Sequence, residues 1–169
     1  MIKKYIREVL NFPRKGINYR DITPLLGNSE ALRGAVDILG ELFDPKDYDS
    51  IAGMEARGFI LGGALAYELG KPFIPIRKAG KLPYNTIRES YGLEYGKDSV
   101  EIHTDAVRPG DRVLLIDDLL ATGGTLRAGA TLIERLGGRV AGMGVLIELS
   151  ELKGREKLNG YEVKSVLKY

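Results

Sequence analysis

The chain has 169 residues, of which 44% are hydrophobic and 28% charged, enough for one domain with a sizeable buried core. A net charge of +2 with acidic and basic residues interspersed leaves no basic stripe, which argues against nucleic acid as a partner. With no cysteine and a single histidine, thiol catalysis and cysteine- or histidine-cluster metal sites are excluded, and a reducing compartment is the natural setting.

No secretion signal is expected, because the apolar start Met1-Ile2 is broken by Lys3, Lys4, Arg7 and Glu8. The longest apolar window, residues 59–66, contains two glycines and is too short to span a bilayer, so the expectation is a cytoplasmic protein without a membrane segment. Ile2, Ile6, Val9 and Leu10 recur at helical spacing and predict an amphipathic helix ending near Asn11. Residues 12–26, with two prolines and a glycine, predict an irregular segment that still carries Phe12, Ile17, Tyr19 and Ile22. Such a segment either covers the core or offers Tyr19 to stack on a flat ligand.

Asn28 or Ser29 caps a second helix whose inner face is Leu32, Val36, Leu39, Leu42 and Phe43, and Asp44-Pro45 ends it. Residues 47–49 are a loop and residues 50–54 a short strand. The turn Glu55-Ala56-Arg57-Gly58 then enters a helix over 59–69 that stops at Gly70. Arg57 faces that helix N-terminus, either as an anion ligand or as half of a surface ion pair. Residues 72–76 form the next strand, with Arg77, Lys78 and Lys81 placing three cations at its end. The long stretch onward to Tyr91 reads as a lid or binding loop, or as a solvated excursion. Residues 92–96 and 99–103 predict two short antiparallel strands, with His103 as a solvent-facing or hydrogen-bonded structural residue. Pro109-Gly110 turns the chain into the strand that follows.

That strand opens the most informative stretch. Val113-Leu114-Leu115-Ile116 reads as a strand buried on both faces, as in a parallel sheet. Asp117 and Asp118 follow where it should end, then the small-residue turn Ala121-Thr122-Gly123-Gly124-Thr125, then a helical stripe of Leu126, Ala128, Leu132, Ile133 and Leu136. Free N–H groups and the dipole at a helix start attract an anion, glycines permit close approach, and two threonine hydroxyls add donors. The loop 121–125 therefore suits a phosphate monoester. Ionised Asp117 and Asp118 only accept hydrogen bonds, so they suit sugar hydroxyls or a hydrated Mg²⁺. Phosphate at one end and hydroxyls at the other describe a ribose 5-phosphate. No lysine follows Gly124, so this is not a Walker A loop, and the dinucleotide G-x-G-x-x-G is absent from it.

After the helix, residues 140–149 form another apolar strand, residues 152–158 a helical turn, and residues 161–167 a last, edge strand. No repeat, low-complexity run or linker interrupts the chain. Strands alternating with helices predict an α/β fold, a right-handed parallel twisted sheet flanked by helices. Ligands in such sheets bind outside the carboxyl ends of the strands, which collects Glu55 to Gly58, Arg77 to Lys81 and Asp117 to Thr125 along one edge.

The stretch 117–125 resembles the phosphoribosyl-pyrophosphate (PRPP) motif of the type I phosphoribosyltransferases. Phe12-Pro13-x-x-Gly16 through Thr23, residues 53–59, Arg77-Lys78-x-Gly80-Lys81-Leu82-Pro83, Leu93-Glu94-Tyr95-Gly96 and residues 152–158 extend the likeness over essentially the whole chain, in the order of the adenine phosphoribosyltransferases. Tyr84 and Ala79 depart from residues frequent in that family. The resemblance implies one domain over 1–169, with a small hood over the base site formed by the N-terminal segment and parts of the C-terminal region. It implies conversion of adenine and PRPP to AMP and diphosphate in purine salvage, with Mg²⁺ held mainly by substrate rather than by a protein metal site, and a homodimer. It further implies that Tyr19 and Leu149 sandwich adenine while backbone groups of Asn18 and Arg20 read its edge. Glu55, Ala56, Arg57, Arg77, Lys78 and Lys81 would hold the diphosphate, with the Glu55–Gly58 turn often containing an unusual cis peptide in this family. Ala121, Thr122, Gly123, Gly124 and Thr125 would hold the monophosphate, and Asp117 and Asp118 the ribose hydroxyls. Glu94, Tyr95 and Arg57 would be catalytic. A phosphoribosyltransferase for another base, or a PRPP-sensing regulator without catalysis, is the alternative.

Overall fold

The computed structural model describes residues 2–92 and 98–169. The chain divides into two compact units, residues 1–38 and 39–169.

In the first unit the expected N-terminal amphipathic helix does not form. A short 3-10 turn, Ile2–Tyr5, leads instead into strand β1, Arg7–Leu10, which pairs antiparallel with β2, Asn18–Asp21. Four apolar residues at helical spacing carry no information about a partner strand arriving from ten residues further on, and that pairing decides the outcome. Val9 lies opposite Tyr19 and Leu10 opposite Asn18. Arg20 and Glu8 form an ion pair across the hairpin at 3.0 Å. Part of the segment expected to be irregular is therefore the return strand. Its connection holds Asn11 at φ 59° and a cis Phe12-Pro13 bond, and the Gly16 N–H donates to Asn11 Oδ1 at 2.8 Å. Helix α1, Thr23–Leu26, and helix α2, Ser29–Glu41, follow. Asn28, not Ser29, caps α2, accepting from the Ala31 N–H at 2.9 Å.

The second unit is built on a seven-stranded sheet. Its strands are β3 (Ser50–Met54), β4 (Phe73–Lys78), β5 (Thr86–Tyr91), β6 (Asp98–His103), β7 (Arg112–Leu120), β8 (Arg139–Glu148) and β9 (Val163–Lys168), in the order β5-β6-β4-β3-β7-β8-β9. Strands β4, β3, β7, β8 and β9 run parallel, and β6 is antiparallel to both of its neighbours. The α/β expectation holds, with β9 at the edge.

Two boundaries differ from expectation. The stretch up to Tyr91 is not one long loop, because its second half is β5, paired with β6 from Thr86 opposite His103 to Tyr91 opposite Asp98. Arg88, Glu89 and Ser90 disguise that strand as solvated loop. Strand β7 also runs past the acidic pair, with Asp117 opposite Val145 and Leu119 opposite Ile147. Ionised carboxylates are rarely buried, so their position inside a central strand runs against the usual pattern.

Helix α3, Arg57–Leu69, and helix α4, Gly124–Arg135, cover opposite faces of the sheet. Met54 and Leu115 press on Gly129 of α4, whereas their chain neighbours Gly53 and Ile116 face Gly62 of α3, as strand alternation requires. The apolar core on the α4 side includes Ala52, Ile76, Val113, Leu126 and Ile133. Each parallel strand delivers its carboxyl end to the same edge.

Candidate active site

At that edge a cleft of about 410 Å³ is lined by Glu55, Ala56 and Arg57 after β3, Lys78 at the end of β4, Asp117 and Asp118 in β7, and Ala121, Thr122, Gly123 and Thr125 in the following turn. Arg77 and Lys81 belong to the same cationic turn as Lys78 but do not line the cleft. The Glu55-Ala56 peptide is cis. The start of α3 lies directly against β7, because a Cβ on Gly58 would sit 2.9 Å from Asp117 Oδ1 and 3.0 Å from the Ile116 carbonyl oxygen.

Both aspartates are buried, Asp117 at 7% and Asp118 at 5% exposure. Burial first, and then the neighbouring Asp118 carboxylate, push Asp117 well above the usual carboxylate range. Asp117 Oδ1 accepts the Asp118 backbone N–H at 2.8 Å. Asp118 Oδ2 accepts from Arg57 Nε at 2.5 Å. Of the two readings of Arg57, the ion pair is the one observed, but its partner is the acid of the cleft rather than a surface group.

The cationic turn after β4 is held by two carboxylates. Glu55 accepts from Arg77 Nη2 at 3.0 Å and from the Lys78 backbone N–H at 2.7 Å. Burial opposes ionisation of Glu55, but these two donors outweigh it and hold the group below its ordinary range. Glu101, 4% exposed on β6, accepts the Gly80 backbone N–H at 3.0 Å and the Arg88 guanidinium at 2.7 and 2.9 Å. The Gly80 N–H and then Arg88 lower its pKa. Lys78 Nζ pairs with Asp98 at 3.3 Å. Lys81 is exposed. Glu55 thus shapes the turn by accepting from it, whatever else it does.

The small-residue turn between β7 and α4 reaches φ 82° at Gly123, which caps α4. There the absence of a side chain is required twice over, since a Cβ would also overlap the carbonyl oxygen of Gly154. Gly124 lies under the ring of Tyr91. Neither Gly154 nor Glu101 is identifiable as serving this edge from local composition or periodicity. Glu101 sits in an alternating strand and Gly154 in a polar run, and only their tertiary neighbours reveal them.

The other candidates come from other segments of the chain. Asn18, Tyr19 and Arg20 are in β2 of the first unit, where Tyr19 meets Phe12 edge-to-face at 5.3 Å. Leu149 follows β8, half-buried, its N–H donating to the Leu120 carbonyl at 2.9 Å. Glu94 and Tyr95 lie outside the described residues. His103 is half-buried and edge-on to Tyr84 at 6.1 Å, with Nε2 buried and without a hydrogen bond. Among the described residues no group of three or more potential metal ligands is gathered, and no helix is long and apolar enough to cross a membrane.

Residues 25–168 match the phosphoribosyl transferase domain family. Adenine phosphoribosyltransferase of Clostridium perfringens is 56% identical over 168 residues, covering 99% of this chain and 98% of that protein. Among solved structures, adenine phosphoribosyltransferase from Thermoanaerobacter pseudethanolicus superposes with a TM-score of 0.96 at 50% identity, covering 99% of this chain and 98% of the other. The Saccharomyces cerevisiae enzyme, complexed with D-2,5-dideoxy-2,5-imino-altritol 1,6-bisphosphate and adenine, gives 0.92 at 38% identity, with 98% and 96% covered.

Proposed function

The chain belongs to the adenine phosphoribosyltransferases, with the type I phosphoribosyltransferase fold, and from that premise we propose that it transfers the 5-phosphoribosyl group of PRPP to adenine, giving AMP and diphosphate for purine salvage. The observation that carries this reading is the cleft in which a buried acid pair, a guanidinium and a glycine-capped helix N-terminus meet. A bisphosphate and adenine occupy the yeast relative together, which supports the same pairing of ligands here.

In this reading the turn 121–125 holds the 5-phosphate on the first N–H groups of α4 and the threonine hydroxyls. Asp117 and Asp118 accept the ribose hydroxyls. Arg57 leaves Asp118 for the diphosphate, where Arg77, Lys78, Lys81 and the backbone of Glu55 and Ala56 add donors. Tyr19 stacks on adenine, the backbone of Asn18 and Arg20 reads its edge, and Leu149 offers an apolar contact. Adenine N9 attacks C1′ as the diphosphate leaves, through an oxocarbenium-like transition state with inversion. Glu94 stabilises the proton or positive charge that develops on the purine, and Tyr95 lies near the reacting centre.

Mg²⁺ fits this donor set as an ion carried mainly by substrate oxygens and water, because two adjacent carboxylates are too few ligands for a protein metal site and no third potential ligand is gathered with them among the described residues. Asp117 and Asp118 would meet it indirectly, and when bound it neutralises charge on the leaving diphosphate. A cytoplasmic location is part of this reading, and the cysteine-free composition is compatible with it. A homodimer is supported by exposed Ile60 and Tyr67, seven positions apart on α3. Light scattering behind size exclusion decides that state.

The test of the reaction is phosphorus NMR of the protein with PRPP, Mg²⁺ and adenine. Loss of PRPP with one AMP formed per diphosphate supports the reading; persistent PRPP, or its hydrolysis to ribose 5-phosphate, contradicts it.

A further inference from the structure

The segment after β8 makes contacts that the proposed reaction does not use. Two 3-10 turns, Ser150–Leu152 and Gly154–Leu158, meet at Lys153, a non-glycine residue at φ 51°. That bend backs Gly154 onto the phosphate turn. A Cβ on Gly154 would overlap the Ala121 carbonyl oxygen and lie 3.1 Å from the Gly123 nitrogen, just as one on Gly123 would overlap the Gly154 carbonyl. Backbone therefore meets backbone with no side chain between them, and the 3-10 turn forms a wall against the loop.

The wall is fixed from behind by the next residue. Arg155 donates from Nε to Glu148 Oε1 at 2.6 Å and from Nη2 to Glu148 Oε2 at 2.7 Å. Its Nη1 donates to the Val163 carbonyl at 2.6 Å. Ser165 Oγ donates to Glu148 Oε2 at 2.6 Å. Glu148 is 5% exposed and sits at the end of β8, in register with Leu120 of β7 and Lys168 of β9. The fork geometry sets direction as well as attraction, so the pair ties the Gly154 turn to the sheet at one defined place.

From this linkage we infer that Arg155 and Glu148 are positioning residues for the monophosphate half of the site, acting through Gly154 on the Ala121–Gly123 backbone. The inference rests on the reading of that turn as the 5-phosphate site. Neither side chain lines the cleft. Loosening the pair lets the wall recede and the turn relax, which misaligns the N–H groups aimed at the phosphate. A misplacement of this kind costs affinity for ligands carrying the 5-phosphate and leaves adenine recognition alone. A purely structural role would instead lower thermal stability and degrade every kinetic constant together.

The experiment compares wild type with Arg155→Met and Glu148→Gln by AMP calorimetry, initial rates against PRPP and adenine, and thermal melts. Arg155→Met is expected to weaken AMP binding and raise KM for PRPP by about tenfold or more. KM for adenine should stay within about twofold and kcat at saturating PRPP within about threefold. Glu148→Gln keeps the shape of the acceptor and should show a smaller change in the same direction. AMP affinity within twofold of wild type in folded Arg155→Met, or a parallel rise of both KM values, overturns the inference. Should Arg155→Met not fold, Arg155→Lys, which keeps the charge and loses the fork, is judged by the same limits. Wild type that neither binds AMP nor consumes PRPP overturns the reading of the phosphate site itself, and the inference with it.

Discussion

Replacing Asp117 with Asn should separate stability from function. The substitution keeps an acceptor for the Asp118 N–H, now 2.8 Å from Asp117 Oδ1, and removes one of two adjacent buried carboxylates. Burial and the neighbouring acid raise the Asp117 pKa, so in the folded protein its ionised form is the disfavoured one. A raised carboxylate pKa contributes stability that is fully present below the unfolded value and is lost as pH rises through the folded value. Wild type therefore carries its penalty at alkaline pH, and Asn removes it there. Relief of one desolvated, repelled carboxylate is worth about 1–2 kcal/mol, or about 2–8 °C in Tm for a chain of this size. Melts followed by circular dichroism from pH 9 to pH 4 should show Asp117→Asn more stable at pH 9, with the advantage shrinking toward acid. Activity should fall at least about 100-fold, because Oδ1 already accepts the Asp118 N–H and the other oxygen becomes an NH2 that cannot accept from a ribose hydroxyl. Asp117→Asn less stable than wild type at pH 9, or a difference that ignores pH, would refute this account of the acid pair.

Arg57→Gln should raise KM for PRPP about tenfold or more and shift an Asp117 titration in the pH–rate profile upward, because Arg57 now lowers the Asp117 pKa. Glu101→Gln should cost about 1–3 kcal/mol at pH 7 in urea melts, since it weakens the hold on Gly80 and Arg88. Glu101 has a lowered pKa, so that deficit should vanish as pH falls below the ordinary carboxylate range; a deficit that persists in acid would point to packing instead. Glu94→Gln should cut kcat by about 100-fold with little change in PRPP affinity, read by pre-steady-state and equilibrium binding measurements.

The parts of the fold that could be read directly were those carrying their own punctuation. β3 with α3, and β7 with α4, join mostly apolar strand segments to glycine-marked turns, and Gly70 ends α3 in the left-handed conformation as expected. The two hairpins were not legible for a common reason. The partner of β1 lies across a loop containing a cis proline bond, and β5 is rich in charge, so neither strand's own pattern identifies its mate. The site divides in the same way. The glycine-rich turn and the acid pair stand close together in the sequence and both line the cleft, whereas the Arg57–Asp118 pair joins residues 61 positions apart. Glu101 and Gly154 gain their roles from backbone groups that arrive from other elements. Residues 152–158 share in the family likeness, but neither that likeness nor local pattern says which backbone groups Gly154 and Glu101 meet.

The central claim is adenine-specific phosphoribosyl transfer, and a base panel tests it most directly. Adenine, hypoxanthine, guanine, xanthine and orotate are each mixed with the protein, PRPP and Mg²⁺, and nucleotide formation is followed by absorbance. The account predicts AMP from adenine and no nucleotide from the other four bases. Turnover of another base in preference to adenine would contradict the assignment of Asn18, Tyr19 and Arg20, and PRPP binding without turnover of any base would contradict catalysis itself.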